Sequence, residues 1–65
     1  MSFPVEFLLA WEGGTWTTEV HQVPDRFDGF DVPNSVVELW LQEKLEKDRD
    51  GLVLVSVYHV GPREE

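Results

Sequence analysis

No cysteine occurs in the 65 residues, so no disulfide staples the chain and no thiolate can hold zinc. A secreted mini-protein that depends on disulfides is thereby excluded. Basic side chains are scarce: five Lys and Arg stand against 13 Asp and Glu, a formal charge of −8. Neutralising phosphates requires Lys and Arg, so the composition argues against direct nucleic-acid binding. The same deficit argues against anionic membrane surfaces. Long apolar runs are also missing, and none approaches the roughly 20 residues that span a bilayer. The opening "MSFPVEF" lacks the basic region and apolar core of a signal peptide. A soluble, cytoplasmic protein is the expectation. There is no repeat and no low-complexity segment.

What is present is an aromatic complement of three Trp, four Phe and one Tyr. It matters because a chain this short buries only about 60% of the surface its unfolded form exposes. Ordering costs about 1.5 kcal/mol per residue, which nearly cancels the gain and leaves modest stability. A partner, or a second copy of the chain, is one way to supply the missing burial. The length allows one domain, expected over residues 1–61, with the polar tail 62–65 frayed.

"FPVEFLLAW" alternates Phe3, Val5, Phe7, Leu9 and Trp11 with less apolar partners, which predicts a strand with one strongly apolar face. Gly13-Gly14 follows and predicts a two-residue hairpin turn. Glu12 then stands opposite Thr15, Trp11 opposite Trp16, Phe7 opposite Val20, and Glu6 opposite His21 on the other face. Pro24 ends the second strand. "NSVVELWLQEKLEKD" predicts a helix that turns Val37, Trp40, Leu41, Lys44 and Leu45 to one side. Ser35 and Glu38 have capping-box spacing, and Asp31 or Asn34 is a further aid to helix initiation. Asp50-Gly51 is expected to end the helix.

"LVLVSVYHV" predicts a third strand, with Val53, Val55 and Val57 on one face and Leu52, Leu54, Tyr58 and Val60 on the other. The fold class expected is α+β: a small ββαβ domain with a three-stranded, mainly antiparallel sheet, order 2-1-3, and one helix on one face. A single helix leaves the opposite face open, where Leu8, Leu54 and Tyr58 are candidates for self-association, together with the edge of the third strand.

The connection "VPDRFDGFDVP", residues 23–33, holds three aspartates and two phenylalanines. Asp25, Asp28 and Asp31 are spaced i, i+3, i+6, whereas a calcium loop needs acids at alternate positions and a bidentate Glu. No metal site and no cofactor are expected. Phe27 and Phe30 either complete the small core beneath the helix or anchor a partner from within a ring of acids. The long connection is therefore a candidate docking surface as well as a link. Glu6, His21 and His59 do not amount to a zinc site, because a third ligand is not fixed by the sequence. A surface acid–imidazole pair is the simpler reading. Catalysis is not expected, since no Ser or Thr stands beside a placed His and acid, and "EGGT" lacks the Lys of a phosphate loop.

These features point to a non-enzymatic interaction protein. It is expected to bind a basic protein surface through Asp25, Phe27, Asp28, Phe30, Asp31, Leu39, Glu43 and Glu46. The sharper form of that expectation is an inhibitor that mimics nucleic acid and blocks a nucleic-acid-binding protein, as small phage and mobile-element inhibitors do. The alternative is a structural subunit or homodimer joined through the open sheet face.

Overall fold

A computed structural model describes residues 1–28 and 32–61. Strands β1 (Ser2–Trp11), β2 (Trp16–Pro24) and β3 (Leu52–Val60) form one antiparallel sheet in the order β2-β1-β3. A 3-10 turn, Asp25–Phe27, follows β2, and helix α1 spans Asn34–Leu45. The expected ββαβ architecture and strand order are thus observed.

The alternation in β1 produces the core. Phe3, Val5, Phe7 and Leu9 point toward the helix and are 5% exposed or less. Val37, Leu41 and Leu45, at one-turn spacing on α1, meet them together with Val23 and Val55. Each side chain so buried contributes roughly 1.5–3 kcal/mol relative to exposure.

The hairpin register differs from the expected one by a single residue. Trp11 N–H donates to Thr15 O at 2.8 Å, so the loop is Glu12-Gly13-Gly14 and not Gly13-Gly14 alone. Gly14 N–H donates to Trp11 O at 3.2 Å, and both glycines have positive φ, 90° and 87°. Three-residue hairpin loops use glycine in this way. Because side chains alternate, a slip of one residue turns all of β2 over. Trp16 consequently lies opposite Ala10 and Val20 opposite Glu6, on the face away from the helix. Val23 enters the core opposite Phe3, while Glu19 takes the place opposite Phe7 that the other register gives to Val20. The expected Trp11–Trp16 pair and Glu6–His21 pair do not form. Trp11 Nε1 donates instead to Thr17 Oγ1 at 2.7 Å.

β3 departs from simple alternation too. Its register against β1 shifts between Glu6 and Phe7 and again between Ala10 and Trp11, leaving Tyr58 and Val53 as extra residues. Leu52, Val55, Val57 and Val60 therefore lie on the core side opposite Trp11, Leu9, Phe7 and Val5. Leu54, Ser56 and His59 lie on the open side opposite Ala10, Leu8 and Glu6. The expected grouping of Leu52 and Val60 with Leu54 is corrected by these two bulges.

α1 starts without the expected side-chain caps. Pro33 occupies the N-cap position, its carbonyl accepts from Val36 N–H at 3.0 Å, and Ser35 lies inside the first turn. Proline's fixed φ suits the approach to a helix. Glu38, freed from capping, accepts a hydrogen bond from Val57 N–H at 2.7 Å. The helix also ends earlier than expected, at Leu45, followed by a turn over residues 46–48. Gly51 adopts the left-handed conformation, φ 84°, but it serves the entry to β3, where its carbonyl accepts from Glu12 N–H at 2.7 Å.

The two sheet edges are therefore unequal. β3 has two bulges and a helix carboxylate on one of its amides. β2 pairs with β1 over nine residues without a register shift.

Candidate functional site

Of the eight residues expected to bind a partner, the six that are described fall into two groups along the chain. The first lies in the turn after β2. Asp25 is exposed, its carboxylate 3.7 Å from the N-terminal ammonium, and its carbonyl accepts from Asp28 N–H at 2.9 Å. Phe27 is half-buried, with its ring centroid 5.5 Å from that of Trp40 and the Arg26 guanidinium 4.8 Å above it. It packs at the margin of the core, as the core-completing alternative required. Phe30 and Asp31 lie outside the described residues. A pocket of about 150 Å³ opens here, lined by Phe27, Val32, Val37, Val57 and Val60, with Asp28 and Asn34 also in its wall. That volume is below the roughly 300 Å³ at which small-molecule sites begin.

The second group lies on the outer face of α1. Leu39 is 57% exposed, and Glu43 and Glu46, one and two turns further along, are exposed as well. Asp48 and Asp50 extend the acidic run beyond the helix, with Lys47 among them. Lys44 is drawn away from this face, its ammonium 5.2 Å from the Trp40 ring. The rise of the helix sets Glu43 about 14 Å along from Asn34. Among the described residues, Asp25 and Asp28 belong to the turn before α1, and Glu43 and Glu46 to its C-terminal end.

A polar cluster that the sequence pattern did not reveal closes the helix side of β2. Arg49 donates from both terminal nitrogens to Glu19, at 2.6 and 3.1 Å, and the carboxylate also contacts His21 Nε2 at 3.0 Å. The His21 ring stands edge-on to Phe7, centroids 6.0 Å apart. The paired Arg49 guanidinium holds the Glu19 carboxyl below its ordinary range, outweighing the opposing effect of partial burial, with His21 adding to the lowering. Glu19 raises the Arg49 guanidinium in turn. The cluster ties the end of the helical turn to the strand that α1 itself hardly covers. Its signal in the sequence was the hairpin register: only the three-residue loop turns Glu19 and His21 toward the helix side.

The open sheet face gains residues by the same slip. One row across the strands reads Trp16–Ala10–Leu54 and the next Thr18–Leu8–Ser56. Trp16 is 55% exposed, Leu54 47% and Val20 62%, while Ala10 between its two large neighbours is 8% exposed. Leu8 and Leu54 thus stand together as expected. Tyr58, at the bulge, is exposed near the far end of the same strand. Trp16 and Val20 were not among the candidates, and the length of the hairpin loop is what decides their side.

Among the described residues no three His, Asp or Glu side chains converge as a metal site would require. His59, not His21, is the register partner of Glu6. Ser2 Oγ donates to Gln22 Oε1 at 3.0 Å, Ser35 sits in the first turn of α1, and Ser56 lies opposite Leu8. Among the described residues no helix is long and apolar enough to cross a membrane. Comparison with family models, with curated proteins and with solved structures finds no match.

Proposed function

We propose that the protein is a non-enzymatic interaction module that offers the outer face of α1 to a basic protein surface. The observation that carries this reading is the separation of charge from apolar surface. Leu39 stands exposed with Glu43 and Glu46 on the helix side, and the register places a single acid, Glu6, on the opposite sheet face. An exposed apolar side chain with carboxylates further along the same helix face suits a partner with a hydrophobic notch beside a basic surface. Glu38 is engaged with Val57 N–H, so the reading is of a compact acidic patch and not of a row of carboxylates in the manner of a phosphate backbone.

The test is binding to an immobilised oligolysine of about 20 residues, followed as a function of salt. Binding is expected at low ionic strength and should fall steeply as the Debye length shrinks from about 30 to 8 Å. Glu43→Gln with Glu46→Gln should weaken it several-fold. Glu6→Gln on the far face is the control. Equal weakening by Glu6→Gln would mean that net charge alone is being read, which refutes a defined patch.

A further inference from the structure

We propose that the open sheet face is a homodimer interface, on which a second copy of the chain seats its own open face around the Trp16–Ala10–Leu54 row. The proposal is independent of the acidic helix patch, which lies on the other side of the molecule.

Two observations select a second copy as the occupant, and a third sets the strength of the contact. The first is charge. The register places on this face the alternate residues of β1 from Pro4 to Ala10 and of β2 from Trp16 to Gln22, with Leu54, Ser56 and His59 of β3. Glu6 is the sole acid among them, and it lies opposite His59. A basic partner, the kind that the rest of a −8 chain attracts, finds almost nothing here to pair with. A nearly uncharged face complements another nearly uncharged face, and the copy's own face meets that condition. Stacked in this way, two copies keep their helix-side carboxylates on opposite outer surfaces, with two sheets between them. Sheets stack about 10 Å apart, so the acidic sides are separated by more than the 8–10 Å over which salt screens charge.

The second is relief. Trp16 and Leu54 rise on either side of Ala10, making a large-small-large saddle across the sheet. Leu8 stands one row along, so that a two-fold axis near Ala10 can interleave large side chains of one copy with the low point of the other.

The third is area and shape. Among the described residues, one helix on one side of three strands leaves the other side without a second layer. Three strands of about nine residues present a face of roughly 30 by 14 Å, or about 420 Å², about half of the about 800 Å² per partner in a stable interface. The assembly expected is therefore weak and dependent on concentration.

The experiment is light scattering on the whole chain over concentrations from about 1 μM to 1 mM, at low and at high salt, on the protein and on two variants, Trp16→Glu and Leu54→Lys. The expected result is a rise in mass from 7.5 kDa toward twice that value, little altered by salt, with each variant held at the monomer mass. Circular dichroism of the variants, unchanged because both side chains are about half exposed, separates loss of contact from loss of folding. A protein that stays monomeric at every concentration and salt overturns the proposal. So does a dimer that persists in both variants, which would transfer the contact to the regular outer edge of β2. Mixing the two variants adds a check: a copy carrying Glu against a copy carrying Lys should recover the heavier species.

Discussion

At the scale of single residues, three side chains bear energies that can be measured separately. Glu19 has its carboxyl lowered by Arg49, so the unfolded chain binds its proton more readily than the folded one. The stabilisation is fully present above the ordinary glutamate value of 4.5 and is lost as pH falls through the depressed folded value. The denaturation midpoint of the protein should accordingly fall on acidification through this window. Glu19→Gln should remove that component of the pH dependence and leave the rest. Glu38 satisfies an amide of β3. Glu38→Ala should cost about 1–2 kcal/mol in urea unfolding, while Glu38→Gln, which retains an acceptor, should cost less. Phe27 packs on Trp40, and Phe27→Ala should lower stability by about 2 kcal/mol, a loss seen without any partner. An unchanged unfolding midpoint would instead mean that the ring contributes nothing to the folded state.

At the scale of elements, the hairpin is decided by one residue of loop length. The Gly13-Gly14 pair was legible as a turn, yet the two registers it allows are nearly equal locally. Each puts a valine in the core, Val20 in one and Val23 in the other. What selects Val23 is what packs from beyond the hairpin: the apolar stripe of α1 in the shared core and the Arg49 reach to Glu19. The prediction follows that Val23→Ala costs about 2 kcal/mol and Val20→Ala less than about 0.5, measured by chemical denaturation. Similar costs at the two positions would contradict the observed register. α1 was legible from its apolar spacing, because Val37, Leu41 and Leu45 fall on one stripe whatever lies opposite. Its caps were not, since Ser35 and Glu38 satisfy the local rule but Glu38 has a stronger use on β3. The bulges at Tyr58 and Val53 had no local signal: β3 is apolar at nearly every position, so the sequence could not show which residues step out of register.

At the scale of the whole molecule, charge is the controlling quantity. A formal −8 on 65 residues repels itself, with few bases to offset it: Arg49 is bound to Glu19, while Lys44 and Arg26 rest on aromatic rings. Raising salt from about 20 to 500 mM should therefore increase the thermal midpoint by several degrees, because screening relieves repulsion more than it weakens the few ion pairs. The same treatment should weaken binding at the α1 patch and leave self-association through the sheet face nearly unchanged. These opposite responses to one variable distinguish the two surfaces. Of the surface residues named from sequence, Leu39, Glu43 and Glu46 stand on one helix face by periodicity alone. Asp25 and Phe27 needed the tertiary contacts to be placed, one beside the chain's own N-terminus and the other against Trp40.

Composition and periodicity determined the three strands as elements, the helix and its buried stripe, the apolar face of β1 and the acidity of the chain. All of these follow from spacing along the chain, which local sterics and the hydrophobic effect convert directly into structure. Tertiary structure alone decided which side of β2 faces the helix, where β3 breaks step, and that Glu19, His21 and Arg49 meet. Each of those outcomes compares alternatives of similar local energy, and the difference between them resides in contacts between residues distant in sequence.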